Sequence, residues 1–146
     1  MKNIVDSHLF SALVAGLFLS GVGLVVPANA QEEPLYTVED GKVDKATYNG
    51  YRRFHGTCHA CHGQDAMGSS FAPALTERLK EISYAQFKES VSNGRIVESA
   101  SGGTNAMPAF AENPDIMKYL DDIYMFLKAR SDGVLKPGRP EKIPAS

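Results

Sequence analysis

The sequence predicts an all-α fold, and three observations predict it. Apolar residues recur at three- and four-residue steps in three separate segments, each opened by a residue suited to cap a helix. No stretch alternates apolar and polar residues as a half-buried strand would, and no internal repeat or low-complexity tract breaks the chain. With 146 residues, 43% of them apolar, and a formal charge of −2, the chain suits one small globular domain.

Residues 1–30 have the pattern of a secretory signal peptide. Lys2 precedes an apolar stretch from Leu9 to Val26, Pro27 breaks it, and Ala28-Asn29-Ala30 offers a small-x-small cleavage site. An uncleaved anchor is the competing reading, because the apolar stretch of 18 residues is at the lower limit for crossing a bilayer. Three Gly and two Ser within it, and the processing site after it, favour cleavage after Ala30. The mature chain then begins at Gln31 in the periplasm, with 14 basic and 16 acidic residues. That balance leaves no basic field for nucleic acid.

Residues 31–43 mix acids, Pro and Gly without periodicity and read as a flexible leader. The main domain spans 44–133. Its first helix is capped by Asp44 and carries Tyr48, Tyr51 and Phe54 near one face. Ser83 caps a second, Tyr84 to Asn93, with Phe87 and Val91 four apart and Gly94 to stop it. Asn113-Pro114 open a third, in which Ile116, Tyr119, Leu120, Ile123, Phe126 and Leu127 recur until Gly133. Residues 134–146 hold Pro137, Pro140 and Pro144, so no helix runs through them, and an extended surface tail is expected.

The chemistry lies at the end of the first helix. An exported protein with two cysteines would ordinarily form a disulfide. Cys58-His59-Ala60-Cys61-His62 instead fits C-x-x-C-H, in which two thiols add to the vinyl groups of a haem and the adjacent histidine binds its iron. One helical turn sets the sulfurs at the span of the vinyls and holds His62 beneath the ring. A structural zinc site wants four ligands and finds no second cysteine pair, with only His55 and His59 as close neighbours. A redox-active C-x-x-C belongs in a βαβ setting, and none is visible.

Iron bound by one histidine has a sixth position. Met107, in Asn105-Ala106-Met107-Pro108-Ala109-Phe110, is the methionine placed to fill it. Met1 lies in the signal segment, Met67 is five residues past His62, and Met117 and Met125 lie in the third helix, whereas Met107 is on a long loop from Gly94 to Glu112. Gly102 and Gly103 let that loop cross the far side of the ring, and Pro108 stiffens it. His55 and His59 are rival ligands, read as surface or edge histidines. A metal-bound imidazole usually donates its other N–H to an acceptor, and the Pro73 carbonyl in Ala72-Pro73-Ala74-Leu75 is the expected partner.

In order along the chain, Cys58 to His62, Ala72 to Leu75, Met107-Pro108 and the closing amphipathic helix resemble the class I cytochromes c, over roughly residues 44–131. The resemblance implies helices wrapped around one covalent haem c, with Gly50 and Phe54 of the first helix packed on Ile123 and Phe126 of the last. More narrowly, Tyr48-Asn49-Gly50-Tyr51-Arg52-Arg53, Gly68-Ser69-Ser70-Phe71-Ala72-Pro73 and Tyr119-Leu120-Asp121-Asp122-Ile123-Tyr124 look like the methanol-metabolism-related cytochromes c. Leu127 to Gly133 extends that likeness. It implies transient contact with a pyrroloquinoline-quinone (PQQ) alcohol or methanol dehydrogenase, lanthanide-dependent forms above all, as electron donor, and delivery to a downstream cytochrome or terminal oxidase. Some relatives carry a further cysteine pair that is absent here.

Two other functions share these residues: a carrier serving an oxidase or reductase unrelated to alcohols, and a ligand-binding haem protein or enzyme with Met107 off the iron. No Ser-His-Asp set, phosphate-binding glycine loop or paired carboxylates in a catalytic context occur, so a carrier is expected rather than an enzyme. Arg52, Arg53, Lys80 and Lys88 read as solvated helix faces.

Overall fold

The computed structural model describes residues 33–98 and 103–144. The signal segment 1–30 and Gly102 of the long loop lie outside the described residues. Among these residues no helix is long and apolar enough to cross a membrane.

Helices dominate, as the periodicity leads one to expect. Helix α1 (Lys45–Thr57) starts where Asp44 accepts the amides of Ala46 and Thr47, both at 2.9 Å, and the Thr47 hydroxyl at 2.6 Å. Helix α2 (His59–His62) follows almost directly, and a short 3-10 turn spans Gln64–Ala66. Helix α3 (Leu75–Arg78) precedes α4 (Tyr84–Asn93), whose Ser83 forms a reciprocal capping box with Gln86. The expected third helix is two helices, α5 (Pro114–Met117) and α6 (Leu120–Ser131). Tyr119 leaves the helical region between them (φ −118°, ψ 23°), and its ring lies 4.0 Å beneath the Arg53 guanidinium. The apolar period survives the break because Ile116, Leu120 and Ile123 are all buried in one core.

Helices α1 and α6 cross at the centre. A Cβ on Gly50 would lie 1.8 Å from the Asp122 carbonyl oxygen, so only glycine permits this approach. Phe54 then meets Phe126 at 5.5 Å between ring centroids, and Tyr51 meets the same ring edge-on at 5.6 Å. Tyr124 packs on Tyr84 and Phe87, at 4.7 and 5.1 Å, which docks α4 onto α6.

Short strands supplement the helices. In the segment read as a leader, β1 (Val38–Glu39) pairs antiparallel with β2 (Lys42–Val43), which pairs in parallel with β5 (Glu141–Lys142) of the tail. Val43 and Leu135 are buried, so both flanks close over the core instead of lying free. Two-residue strands are too short to show alternation, which is why the sequence hides them. The loop expected between Gly94 and Glu112 contains an antiparallel hairpin, β3 (Arg95–Glu98) with β4 (Thr104–Met107).

Candidate functional site

Cys58 caps α2 while still bonded to α1: its amide donates to Phe54 O at 2.8 Å, and its carbonyl accepts from Cys61 (3.2 Å) and His62 (3.0 Å). Cys58 is half-buried and Cys61 exposed, and no disulfide joins them. Burial pushes the Cys58 thiol up to about 11, with the neighbouring Cys61 adding to the effect. Among the described residues no cluster of three or more His, Cys, Asp or Glu is placed to hold a metal ion.

His62 is buried, 8% exposed, and its Nδ1 lies 3.0 Å from the Pro73 carbonyl oxygen. The loop between them is folded back by local bonds. Gly68 N donates to His62 O at 2.7 Å, the Ser69 hydroxyl donates to Cys61 O, and Ser69 N donates to Ala72 O at 2.9 Å. Gly68 has φ 84°, and a Cβ there would meet Ala74 N at 2.7 Å, so this reversal needs glycine. With Nδ1 engaged as donor, Nε2 is the nitrogen left to bind a metal.

Met107 ends β4, half-buried and packed against the core. The chain after it is pinned to α4, Phe110 N donating to Val91 O (3.0 Å) and Ala111 N to Ser92 O (3.1 Å). Cys58, Cys61, His62 and Pro73 thus sit within one continuous loop-and-helix unit, and Met107 comes from a separate hairpin. The donor set suits a covalently held haem: two thiols a helical turn apart, one oriented imidazole and a soft thioether.

His59 is exposed, as expected. His55 is half-buried, at the edge of the core: its Nδ1 is 2.9 Å from Tyr51 O, its ring lies 4.3 Å from that of Tyr51 and 5.9 Å from Phe126, and its Nε2 is buried with no partner among the described residues. Helical spacing places it beside the aromatic face, one turn past Tyr51. Arg130 was missed altogether. Its guanidinium is buried and donates to the carbonyls of Asp65 and Leu135, while Asp65 Oδ1 accepts from Gly138 N at 2.8 Å. These bonds tie the turn after His62 to α6 and the tail. Its neighbours Lys128, Ser131 and Asp132 are polar, so the local sequence carried no signal of its burial.

Residues 45–127 match the family model described as "Cytochrome C oxidase, cbb3-type, subunit III". The chain is 43% identical over 114 residues to cytochrome c-553I of Paracoccus denitrificans, covering 77% of this chain and 50% of that protein. It is 42% identical over 101 residues to cytochrome c-555 of Methylococcus capsulatus (Bath), covering 68% of this chain and 75% of that one. The crystal structure of the c-type cytochrome XoxG from Methylobacterium extorquens AM1 is similar with a TM-score of 0.68 and 42% identity, over 77% of this chain and 69% of that chain. The chain spans about half the length of the Paracoccus relative.

Proposed function

Because the chain belongs to the c-type cytochrome family, we propose that it is a periplasmic single-electron carrier fed by a PQQ-dependent methanol or alcohol dehydrogenase. Its fold is that of the class I cytochromes c, and the family implies a covalent haem c at Cys58 and Cys61. His62 and Met107 are the axial ligands in this reading, and the contact that carries it is His62 Nδ1 to Pro73 O at 3.0 Å. A histidine oriented in this way presents Nε2 in one direction and is a stronger donor to iron.

The haem supplies the one-electron couple when bound. The chain's part is to hold that group: Cys58 and Cys61 would anchor it, and His62 and Met107 would supply the ligands to its iron. A closed iron exchanges electrons without binding small ligands, which separates a carrier from a gas-binding protein. The donor rests on the resemblance of Tyr48 to Arg53 and Gly68 to Pro73 to the methanol-metabolism-related cytochromes c, with 42% identity to XoxG alongside. Export rests on residues 1–30.

Mixing the oxidised mature protein with a lanthanide-dependent methanol dehydrogenase and methanol, and following haem absorbance, tests the reading. Fast, saturable, methanol-dependent reduction is expected. Absence of reduction with a six-coordinate spectrum moves the protein to a carrier for another dehydrogenase or respiratory complex.

A further inference from the structure

The hairpin that carries Met107 also carries a cation in register with it. Strands β3 and β4 pair with Arg95 opposite Met107, Ile96 opposite Ala106, Val97 opposite Asn105 and Glu98 opposite Thr104. Side chains alternate between the faces of such a ribbon, and directly opposed residues share a face with Cβ atoms about 5 Å apart. One face therefore holds Arg95, Met107, Val97 and Asn105, and the other holds Ile96, Ala106, Glu98 and Thr104. Met107 packs against the core, and Val97 is less exposed than Ile96, 52% against 79%. Arg95 itself is exposed, so it shares a face with Met107 while its own side chain stays in contact with solvent.

The register at this point is tightly held. Gly94, with φ 71°, joins α4 to β3, and a Cβ there would lie 2.5 Å from Met107 O and 2.8 Å from Ala109 N. A one-residue slip would move Arg95 to the other face and break this close packing. Arg95 also lines a cavity of about 340 Å³ with Arg78 and Glu89. Arg78 is engaged with Glu81 at 2.7 Å, and Glu89 offsets part of the positive charge in the cavity.

We propose that Arg95 raises the reduction potential of the iron that Met107 ligates. The inference rests on the axial role given to Met107 above. When one electron passes from the donor dehydrogenase to ferric iron, the site loses one unit of positive charge. A cation beside it disfavours the ferric state more than the ferrous one. Arginine stays protonated throughout, so no proton accompanies the electron. The charge is exposed to solvent on its outer side, so salt weakens the effect.

Potentiometric titration of the holo-protein and three variants tests this, with the sulfur–iron absorbance signature and circular dichroism recorded on each. Arg95→Gln is expected to keep that signature and helical content. Its equilibrium with a reference redox couple should shift about three- to tenfold towards the oxidised form at low salt. The shift should shrink near 1 M salt, where the screening length is about 3 Å. Arg95→Lys should retain most of the wild-type value, and Lys136→Gln, an equal charge change in the exposed tail, should move it much less. Equal shifts in Arg95→Gln and Lys136→Gln, or no shift, would overturn the proposal. Loss of the sulfur–iron signature in Arg95→Gln would also overturn it, by making Arg95 a support for ligation. A wild type lacking that signature removes Met107 from the iron, and the proposal falls with that reading.

Discussion

His62 Nδ1 and the Pro73 carbonyl oxygen lie 3.0 Å apart across eleven residues of chain, so the orientation of the buried imidazole depends on the loop that carries Pro73. Replacing Pro73 by Gly leaves the carbonyl but releases the backbone that aims it. A weaker hydrogen bond makes imidazole a poorer donor and stabilises ferric iron less. Pro73→Gly is expected to keep its haem and show a raised reduction potential, read by potentiometric titration. A lowered potential would show that this bond does not strengthen the ligand.

Removing Met107 should have the opposite sign. On the proposed ligation, Met107→Ala takes away the thioether that favours ferrous iron and opens the sixth position. The potential should fall, and the ferrous protein should bind carbon monoxide, seen as a difference spectrum that the wild type lacks. An unchanged spectrum and potential would take Met107 out of the site.

Gly50 tests the helix crossing without touching the site. Gly50→Ala forces a Cβ against the Asp122 backbone, where it would lie 1.8 Å from the carbonyl oxygen, and backbone cannot rotate away as a side chain can. Such overpacking costs about 3 kcal/mol, and chemical denaturation of the holo-protein should show the loss.

Asp44 gives a pH dependence with a defined sign. Burial alone would raise its carboxyl, but hydrogen bonds from the Thr47 hydroxyl and from the amides of Thr47, Thr37 and Ala46 together hold it below the ordinary carboxylate value. A group depressed in the folded state contributes stability above its unfolded pKa of about 4, and that contribution is lost as pH falls through the folded value. Asp44→Asn keeps a capping side chain but removes the titration, so its stability should fall less steeply than wild type below about pH 4. Parallel curves in acid denaturation would remove Asp44 from the acid response.

Much of this protein is local and was therefore readable in order along the chain. Ser83 and Asp44 cap helices because a side-chain oxygen two or three residues from a free amide needs no distant partner. The spacing of Cys58, Cys61 and His62 is a property of one helical turn, so the haem chemistry is legible before any fold is known. The amphipathic period of 116–127 marks a core face even though Tyr119 divides it into α5 and α6.

The sequence by itself determined the helical class, the caps and the spacing of the thiol pair with its histidine. Tertiary structure alone decided how the flanks close, through β1, β2 and β5. It also decided that His55 lies among aromatic rings, that Arg130 binds the turn after His62, and that Met107 stands opposite Arg95 on a hairpin. Each of those depends on residues brought together from distant parts of the chain. Such pairings answer to the geometry of the whole core, and a pattern read along one segment carries no trace of which distant backbone will arrive beside it.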